Sequence, residues 1–278
     1  MSHYRRILVV TPTLGNSVFL DKTMSSVATQ LLDILHVISA PADKQQVLQM
    51  RFPKARVVPD AGKSGGIYGA LNAALAKITD GWDWFTYIND DDLLLPGFSE
   101  VFYRHMRSVA SEPVIYGDVD LIDETGQAIS RVTTESNPAW IPALLQQGIS
   151  PLMQQGMLFR RDIVRRLQGF DLRYRLCADL DFWLRAYAAG AKFRYYPKRV
   201  AQFRLRSGQL SGSTATTQHE QDEIVKRHLP VPVTPWNVRF ARWRYRACNL
   251  PRYLERTRTR GFRTSYQLLQ GNTHTVQQ

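Results

Sequence analysis

The feature that most constrains this chain is an alternation of short, apolar, β-rich runs with helix-like segments between Ile7 and Ile88. ILVVT at Ile7–Thr11, ILHVIS at Ile34–Ser39, the weaker Arg56–Pro59 and WFTYI at Trp84–Ile88 read as strands. Between them lie an amphipathic stretch from about Asp21 to Leu32 and the run Gly66–Lys77. In the latter, Ile67, Leu71, Ala74 and Leu75 recur at helical spacing. Strands separated by helices cannot pair as hairpins, so the expected architecture is α/β with a doubly wound, mostly parallel sheet and flanking helices.

The pattern weakens between Glu124 and Pro151, a stretch that contains Pro138 and Pro142, and returns at Gly156–Arg160. A basic helix is expected near Asp162–Leu167, closed by Gly169. A second should run from about Leu180 to Ala189, with Asp179 and Asp181 at its start and Gly190 as terminator. Phe193–Tyr196 reads as a closing strand. Pro230-Val231-Pro232 marks the best boundary, dividing a domain at 1–230 from an extension at 231–278.

Charge supports that division. The net charge is +12, yet nine of the 36 basic residues and only one of the 24 acids (Glu255) fall in the extension. Trp236, Phe240, Trp243, Ala247 and Leu250 recur there at helical intervals, with Arg239, Arg242 and Arg246 on another face. The spacing predicts a basic amphipathic helical extension. Its three readings are a helix on an anionic membrane surface, a helix packing its aromatics on the main domain, and, least favoured, a nucleic-acid contact. The last ten or so residues read as a frayed end.

No apolar run is long enough to span a bilayer. Two cysteines, Cys177 and Cys248, cannot form a disulfide framework, and MSHYRRILVVTPT has no secretory leader pattern. The cytoplasm is expected, with a peripheral place on the inner membrane face if the extension binds lipid.

Chemistry concentrates in Asn89-Asp90-Asp91-Asp92, which follows the WFTYI strand. Open α/β sheets bind ligands beyond the carboxyl ends of their strands. Three adjacent carboxylates there repel one another unless positive charge sits among them. A hard cation, Mg²⁺ or Mn²⁺, shared with phosphates suits that need; an Asp-rich helix-capping turn is the plainer alternative. Asp60-Ala-Gly-Lys-Ser-Gly-Gly66 is neither a P-loop nor a dinucleotide fingerprint. Asp179 and Asp181, two residues apart, face different ways and need different jobs. The six histidines show no metal-ligand spacing.

Taken together, these segments resemble the inverting glycosyltransferases of family 2, which have the nucleotide-sugar-binding GT-A fold. The resemblance rests on VVTPTLGNSVFLDKTMSSVATQ, SGGIYGALNAALA, YINDDDLLLPG, YGDVDLID, QGMLFRRDIVRRLQGFD and ADLDFWLRAYAAGAKFRYYP, in that order over residues 4–212. It implies a nucleotide diphosphate sugar as donor and a hydroxyl of a glycan or lipid-linked molecule as acceptor. It places Asp92, with Asp90, on the metal, and Asp90 and Asp91 on nucleotide or sugar. Thr11 and Pro12 would lie by the nucleobase, and Asp60, Gly66, Tyr68 and Asn72 near nucleotide and sugar. Gln155, Trp183 and Asp181 fall on the acceptor side, and Asp179 is the general base.

The chain departs from the pattern at four places. Ser39-Ala-Pro follows the second strand where an acid usually reads the base, with Asp43 the nearest substitute. Gly69 stands where Asp is frequent, and Ala178 replaces the Glu before the base. Arg206 stands where a His often reaches the metal or diphosphate; an arginine cannot ligate a cation, but it pairs with phosphate. Two rivals follow. A sugar nucleotidyltransferase would carry a basic Gly-rich loop after the first strand, which PTLGNS lacks. A glycosyltransferase-like domain without turnover would release no nucleotide.

Overall fold

The structure is a computed structural model that describes residues 6–62, 65–109, 111–132, 134–206, 209, 214–229 and 234–260. The expected frayed end and the Pro230–Pro232 boundary lie outside the described residues.

The first half alternates as its sequence requires. Strand β1 (Ile7–Pro12) is followed by α1 (Leu20–Ala28), β2 (Ile34–Ala40), α2 (Gln45–Arg51), β3 (Arg56–Pro59), α3 (Gly66–Lys77) and β4 (Trp84–Tyr87). Then come β5 (Leu93–Leu94), α4 (Pro96–Arg107), β6 (Val114–Ile122), β7 (Ala128–Arg131) and α5 (Ile141–Leu145). The second half continues with β8 (Leu158–Arg160), α6 (Arg161–Leu167), α7 (Ala178–Ala188), β9 (Phe193–Arg204), α8 (Thr214–His228), α9 (Pro235–Cys248) and α10 (Leu250–Arg260).

The described residues form a nine-stranded sheet in the order β3-β2-β1-β4-β8-β6-β9-β5, with β7 beside β6. β1 runs parallel to β2 and β4, β2 to β3, and β6 to β9. β8 is antiparallel to both β4 and β6, and joins the two parallel groups. The expected doubly wound α/β sheet is therefore present, with an antiparallel strand at its middle.

Alternate side chains explain why ILVV is apolar throughout. Leu8 and Val10 face a core with Leu71, Phe85, Tyr87 and Phe182, while Ile7 and Val9 face another with Val27, Trp84, Phe98 and Phe102. A strand covered by helices on both faces has no polar side to offer. Helix α4 closes over β9 at Gly97, where a Cβ would stand 2.1 Å from the Arg199 carbonyl oxygen. Only glycine lets those backbones approach so closely.

Three differences from the expectation have local causes. β9 runs to Arg204 instead of stopping at Tyr196, because its pairing with β6 shifts register where Pro197 cannot donate to the ladder. Helices α2 and α8 carry too few apolar residues to announce themselves; in α8 Ile224 is the apolar side chain that is fully buried. The extension folds as α9 and α10, and its contact with the domain runs through Ala241 and Tyr245 against Ala143 and Leu144. Trp236 and Trp243, expected on the packing side if the helix buried its aromatics, remain exposed. Among the described residues no helix is long and apolar enough to cross a membrane.

Candidate active site

The site lies beyond the carboxyl ends of β1 and β4, where Ile88 leads into the acidic loop. Its three carboxylates have three environments. Asp90 is half-buried; its Oδ2 accepts from Thr13 Oγ1 at 2.5 Å, and its carbonyl accepts from Ser17 Oγ at 3.0 Å. Asp91 accepts from Arg206 Nε at 2.6 Å. Asp92 is fully buried and takes N–H bonds from the Arg204 backbone (2.9 Å), Gln155 Nε2 (2.9 Å) and Asn89 Nδ2 (3.2 Å). Burial, then the charge of Asp91, pushes Asp92 above the usual carboxylate range, and its three donors oppose the shift. Burial likewise raises Asp90.

Asp92, expected to be the main metal ligand, has both carboxylate oxygens engaged by protein donors. Its oxygens are spent inward, tying β9 and the 154–155 segment to the loop. Asp91 is buried too, with its carboxylate paired to Arg206, and Asp90 is the most exposed of the three. Gln155, expected on the acceptor side, braces Asp92 from within. Arg204 completes the loop's support. Its buried guanidinium donates to the carbonyls of Asp91 (2.9 Å), Asp123 (2.9 Å) and Glu124 (3.2 Å), and lies 4.4 Å over the Phe19 ring.

The second acidic feature opens α7. Asp179 is half-buried, accepts from the Leu180 N–H at 2.8 Å and lies beside the Tyr68 hydroxyl, which donates to the Leu176 carbonyl at 3.1 Å. Burial is the largest influence on its carboxyl and raises it to about 6; the nearby charge of Glu220 adds to the rise, and the Leu180 N–H and the Tyr68 hydroxyl oppose it. Tyr87, at the end of β4, feels the charges of both Asp179 and Asp92, so it stands between the two acidic features. Burial holds the Tyr68 and Tyr87 phenols far above their ordinary range, which keeps them neutral donors.

Several expected contacts turn inward. Thr11 is fully buried and bonds His36 Nε2 at 2.9 Å, with burial lowering His36 to about 4 and so keeping it neutral. Pro12 is buried as well. Asn72 is engaged at both ends of its amide, donating to the Phe170 carbonyl and accepting from the Phe170 N–H, each at 2.8 Å. Gly169, at φ +91°, lets that turn pass with its Cβ position 2.5 Å from Asn72 Oδ1. Asp181 is buried between Arg185 (2.6 Å) and His228 (2.7 Å), and Trp183 belongs to the apolar core. Asp60 accepts from Gly62 N at 2.8 Å and shapes the loop that enters α3, where Gly66 is exposed at φ +57°.

Sequence reasoning missed Thr13, Arg204 and Glu220. Thr13 sits beside motif residues and could have been found by adjacency. Arg204 and Glu220 act across more than a hundred and about forty residues respectively, with no local signal.

Among the described residues no group of three or more His, Cys, Asp or Glu side chains is placed to hold a metal. The donor set nevertheless suits Mg²⁺ or Mn²⁺ bound jointly with phosphate, since such ions take one or two carboxylates and fill their shell with phosphate and water oxygens. Asp90 and Asp91 would supply the carboxylates, and the buried Asn89 Oδ1 beside them has no hydrogen-bond partner.

An α/β sheet with a carboxylate-rich loop after its fourth strand, and an acid opening a helix across from it, defines a GT-A-type glycosyltransferase fold. Comparison bears this out: the family model described as "Glycosyl transferase family group 2" matches residues 84–270. The chain therefore belongs to that family, and it is a transferase. Solved structures share the fold. S. aureus TarS 1-349 in complex with UDP-GlcNAc superposes with a TM-score of 0.60 at 17% identity over 92% of this chain and 75% of that one. Glucosyl-3-phosphoglycerate synthase from Mycobacterium tuberculosis gives 0.51 at 16%, over 83% and 82%. Mannosyltransferase PcManGT from Pyrobaculum calidifontis, in complex with GDP-Man and Mn²⁺, gives 0.53 at 13%, over 97% and 85%. No curated protein sequence matches the chain.

Proposed function

We propose that the chain moves a sugar from a nucleotide diphosphate donor to a hydroxyl of a glycan or lipid-linked acceptor, with inversion, and that Asp179 is the general base. The observation that carries this reading is Asp179 itself. It is a half-buried carboxylate that burial raises to about 6, with the neutral Tyr68 and Tyr87 phenols beside it. A base works best when its pKa lies near the operating pH, so that it is ionised yet still basic. The neighbours named above, a UDP-GlcNAc complex and a GDP-Man complex, support a nucleotide sugar as donor.

In this reading the acceptor hydroxyl gives its proton to Asp179 while its oxygen attacks the anomeric carbon. The bond from that carbon to the donor's phosphate oxygen breaks on the opposite side, and the diphosphate leaves with the bonding electrons. One carboxylate suffices, since no covalent sugar intermediate is made. Arg206, next to Asp91, offers a guanidinium to the departing phosphates. Thr13 and Ser17 hold Asp90 at the edge of the nucleotide side. Mg²⁺ or Mn²⁺ held by Asp91 with Asp90 would supply Lewis-acid neutralisation of the diphosphate. If the acceptor is lipid-linked, the chain works as a peripheral protein at the membrane that carries it.

The test is a screen of nucleotide diphosphate sugars for thermal stabilisation, with and without Mn²⁺, since a donor that binds only the folded state raises the melting point. The stabilising donor is then incubated with candidate acceptors and the product anomer read by NMR. Stabilisation by one donor and an inverted product are expected. A retained configuration would remove the single-base mechanism, and stabilisation by a nucleoside triphosphate with sugar phosphate would favour nucleotidyl transfer instead.

A further inference from the structure

The extension docks on the domain with one side and leaves a chemically distinct side outward. Docking uses Ala241 and Tyr245, Asn249 on Thr134, and ion pairs from Arg244 to Glu135 and Arg252 to Asp118. On the other side, Trp236 is 77% exposed, Trp243 66%, Leu250 54% and Leu254 52%. At about 100° per residue, Trp236, Phe240, Trp243 and Ala247 fall within one narrow sector of α9, nearly opposite Tyr245. Arg239, Arg242 and Arg246 are exposed along its flank, and Glu255 is the one acid from 234 to 260.

We propose that this outward face of α9 and α10 is a docking surface for an anionic lipid bilayer. Two tryptophans and two leucines on a soluble surface need an apolar cover. Tryptophan with flanking arginine matches the headgroup boundary, where an amphipathic ring and a cation are both accommodated. The charge complements anionic headgroups. The surface stands apart from the cleft, so it can fail while the transfer reading stands, and the reverse.

The experiment is co-sedimentation of the full chain with vesicles of phosphatidylcholine alone or mixed with phosphatidylglycerol, at low and high salt. Binding to the anionic vesicles that falls as salt rises is expected. Trp236→Ala with Leu254→Ala should weaken that binding by about tenfold or more at unchanged melting point. Arg239→Glu with Arg242→Glu should abolish it. Equal binding to both vesicle types, binding that survives both double variants, or a face occupied by a second copy (self-association lost in the Trp236 variant, with no lipid binding) would each overturn the proposal.

Glu220, a buried carboxylate on α8, accepts the backbone N–H groups of Arg175, Leu176 and Cys177, each at 2.9 Å. The same segment is held by Tyr68 OH on the Leu176 carbonyl (3.1 Å) and by Glu223 on Tyr174 OH (3.1 Å). Asp179 follows two residues later, at the start of α7. We infer that Glu220 is the positioning residue that sets the place of Asp179 in the cleft, an inference that rests on Asp179 being the base. Three charge-assisted bonds on successive N–H groups leave the segment entering α7 little freedom. The groups facing Asp179 are Tyr68 from α3, Tyr87 from β4, Cys177 beside it and Glu220 from α8.

Glu220→Gln and Glu220→Ala are compared with Asp179→Asn under saturating donor. Glu220→Gln is expected to lower kcat by about tenfold with donor KM within about twofold. It should also move the midpoint of the rising pH limb downward, because one negative neighbour of Asp179 is gone. A packing role alone would lower the melting point and leave that midpoint in place. If Asp179→Asn is inactive and folded Glu220→Gln keeps the parent kcat and pH profile, the inference falls by itself. If Asp179→Asn keeps its turnover, the reading of the base falls first.

Discussion

The acidic loop after β4 and the acidic start of α7 are alike in composition and unlike in how they are held. The loop is fastened from inside. Asp92 and the Arg204 guanidinium are both fully buried, and bonds from α1, β9 and the 154–155 segment meet there. The start of α7 is fastened from behind, through the backbone that precedes Asp179, by a carboxylate on α8. In the first region a carboxylate is consumed as structure so that its neighbours stay in place for chemistry. In the second Asp179 accepts the N–H of its neighbour Leu180, and the carboxylate that fixes the backbone before it comes from another helix. Adjacent identical residues can thus hold opposite jobs, because side chains on successive positions of a tight loop point to different sides.

Breaking each region separately tests this contrast. The largest effect belongs to Asp179→Asn, which should cut turnover by about 10² or more while donor-induced thermal stabilisation persists. Undiminished turnover in that variant would dissolve the contrast. Next comes Asp92→Ala, which strands three buried N–H donors. Each such orphan costs about 1–3 kcal/mol, so chemical denaturation should show a loss of several kcal/mol whether or not donor is present. Asp91→Asn should do the reverse, leaving stability near the parent and weakening donor and Mn²⁺ binding in calorimetry. If Asp92→Ala is stable and Asp91→Asn unfolds, the two carboxylates have been assigned the wrong way round.

Arg206→Gln is expected to be milder, raising the donor KM by about tenfold, the cost of one charge-assisted phosphate contact. The smallest test is the pH profile. As the proposed base Asp179 would work in its ionised form, and burial raises it to about 6. Turnover should therefore be low below that pH and climb to a plateau above it. A rising limb centred near pH 4 would show that burial does not act on the base during turnover.

Much of the scaffold was legible because it follows from local rules. The residues of β1, β2, β4 and α3 announce themselves through apolar runs of strand length and a 3.6-residue repeat, and α3 spans the residues its pattern predicts. The acidic loop was also legible, since a strand ending in three carboxylates has few uses. Less visible were α8, whose exposed surface is polar, and β9 beyond Pro197, where the strand gains its partner only by shifting register on β6. Within the site, Asn72, Thr11, Trp183 and Asp181 looked like ligand contacts because motif spacing marks a position and not the direction of its side chain.

The sequence by itself determined an α/β sheet with an acidic cluster at the end of β4, because hydrophobic period and charge clustering are properties of neighbours along the chain; the transferase class follows from the family match. Only the tertiary structure decided which aspartate pairs with Arg206, which accepts three N–H donors, and that Glu220 and Arg204 brace the two acidic segments. It also decided that the tail docks by Tyr245 and leaves its tryptophans outward. These depend on burial and on bonds between residues forty to more than a hundred positions apart, which no local pattern records.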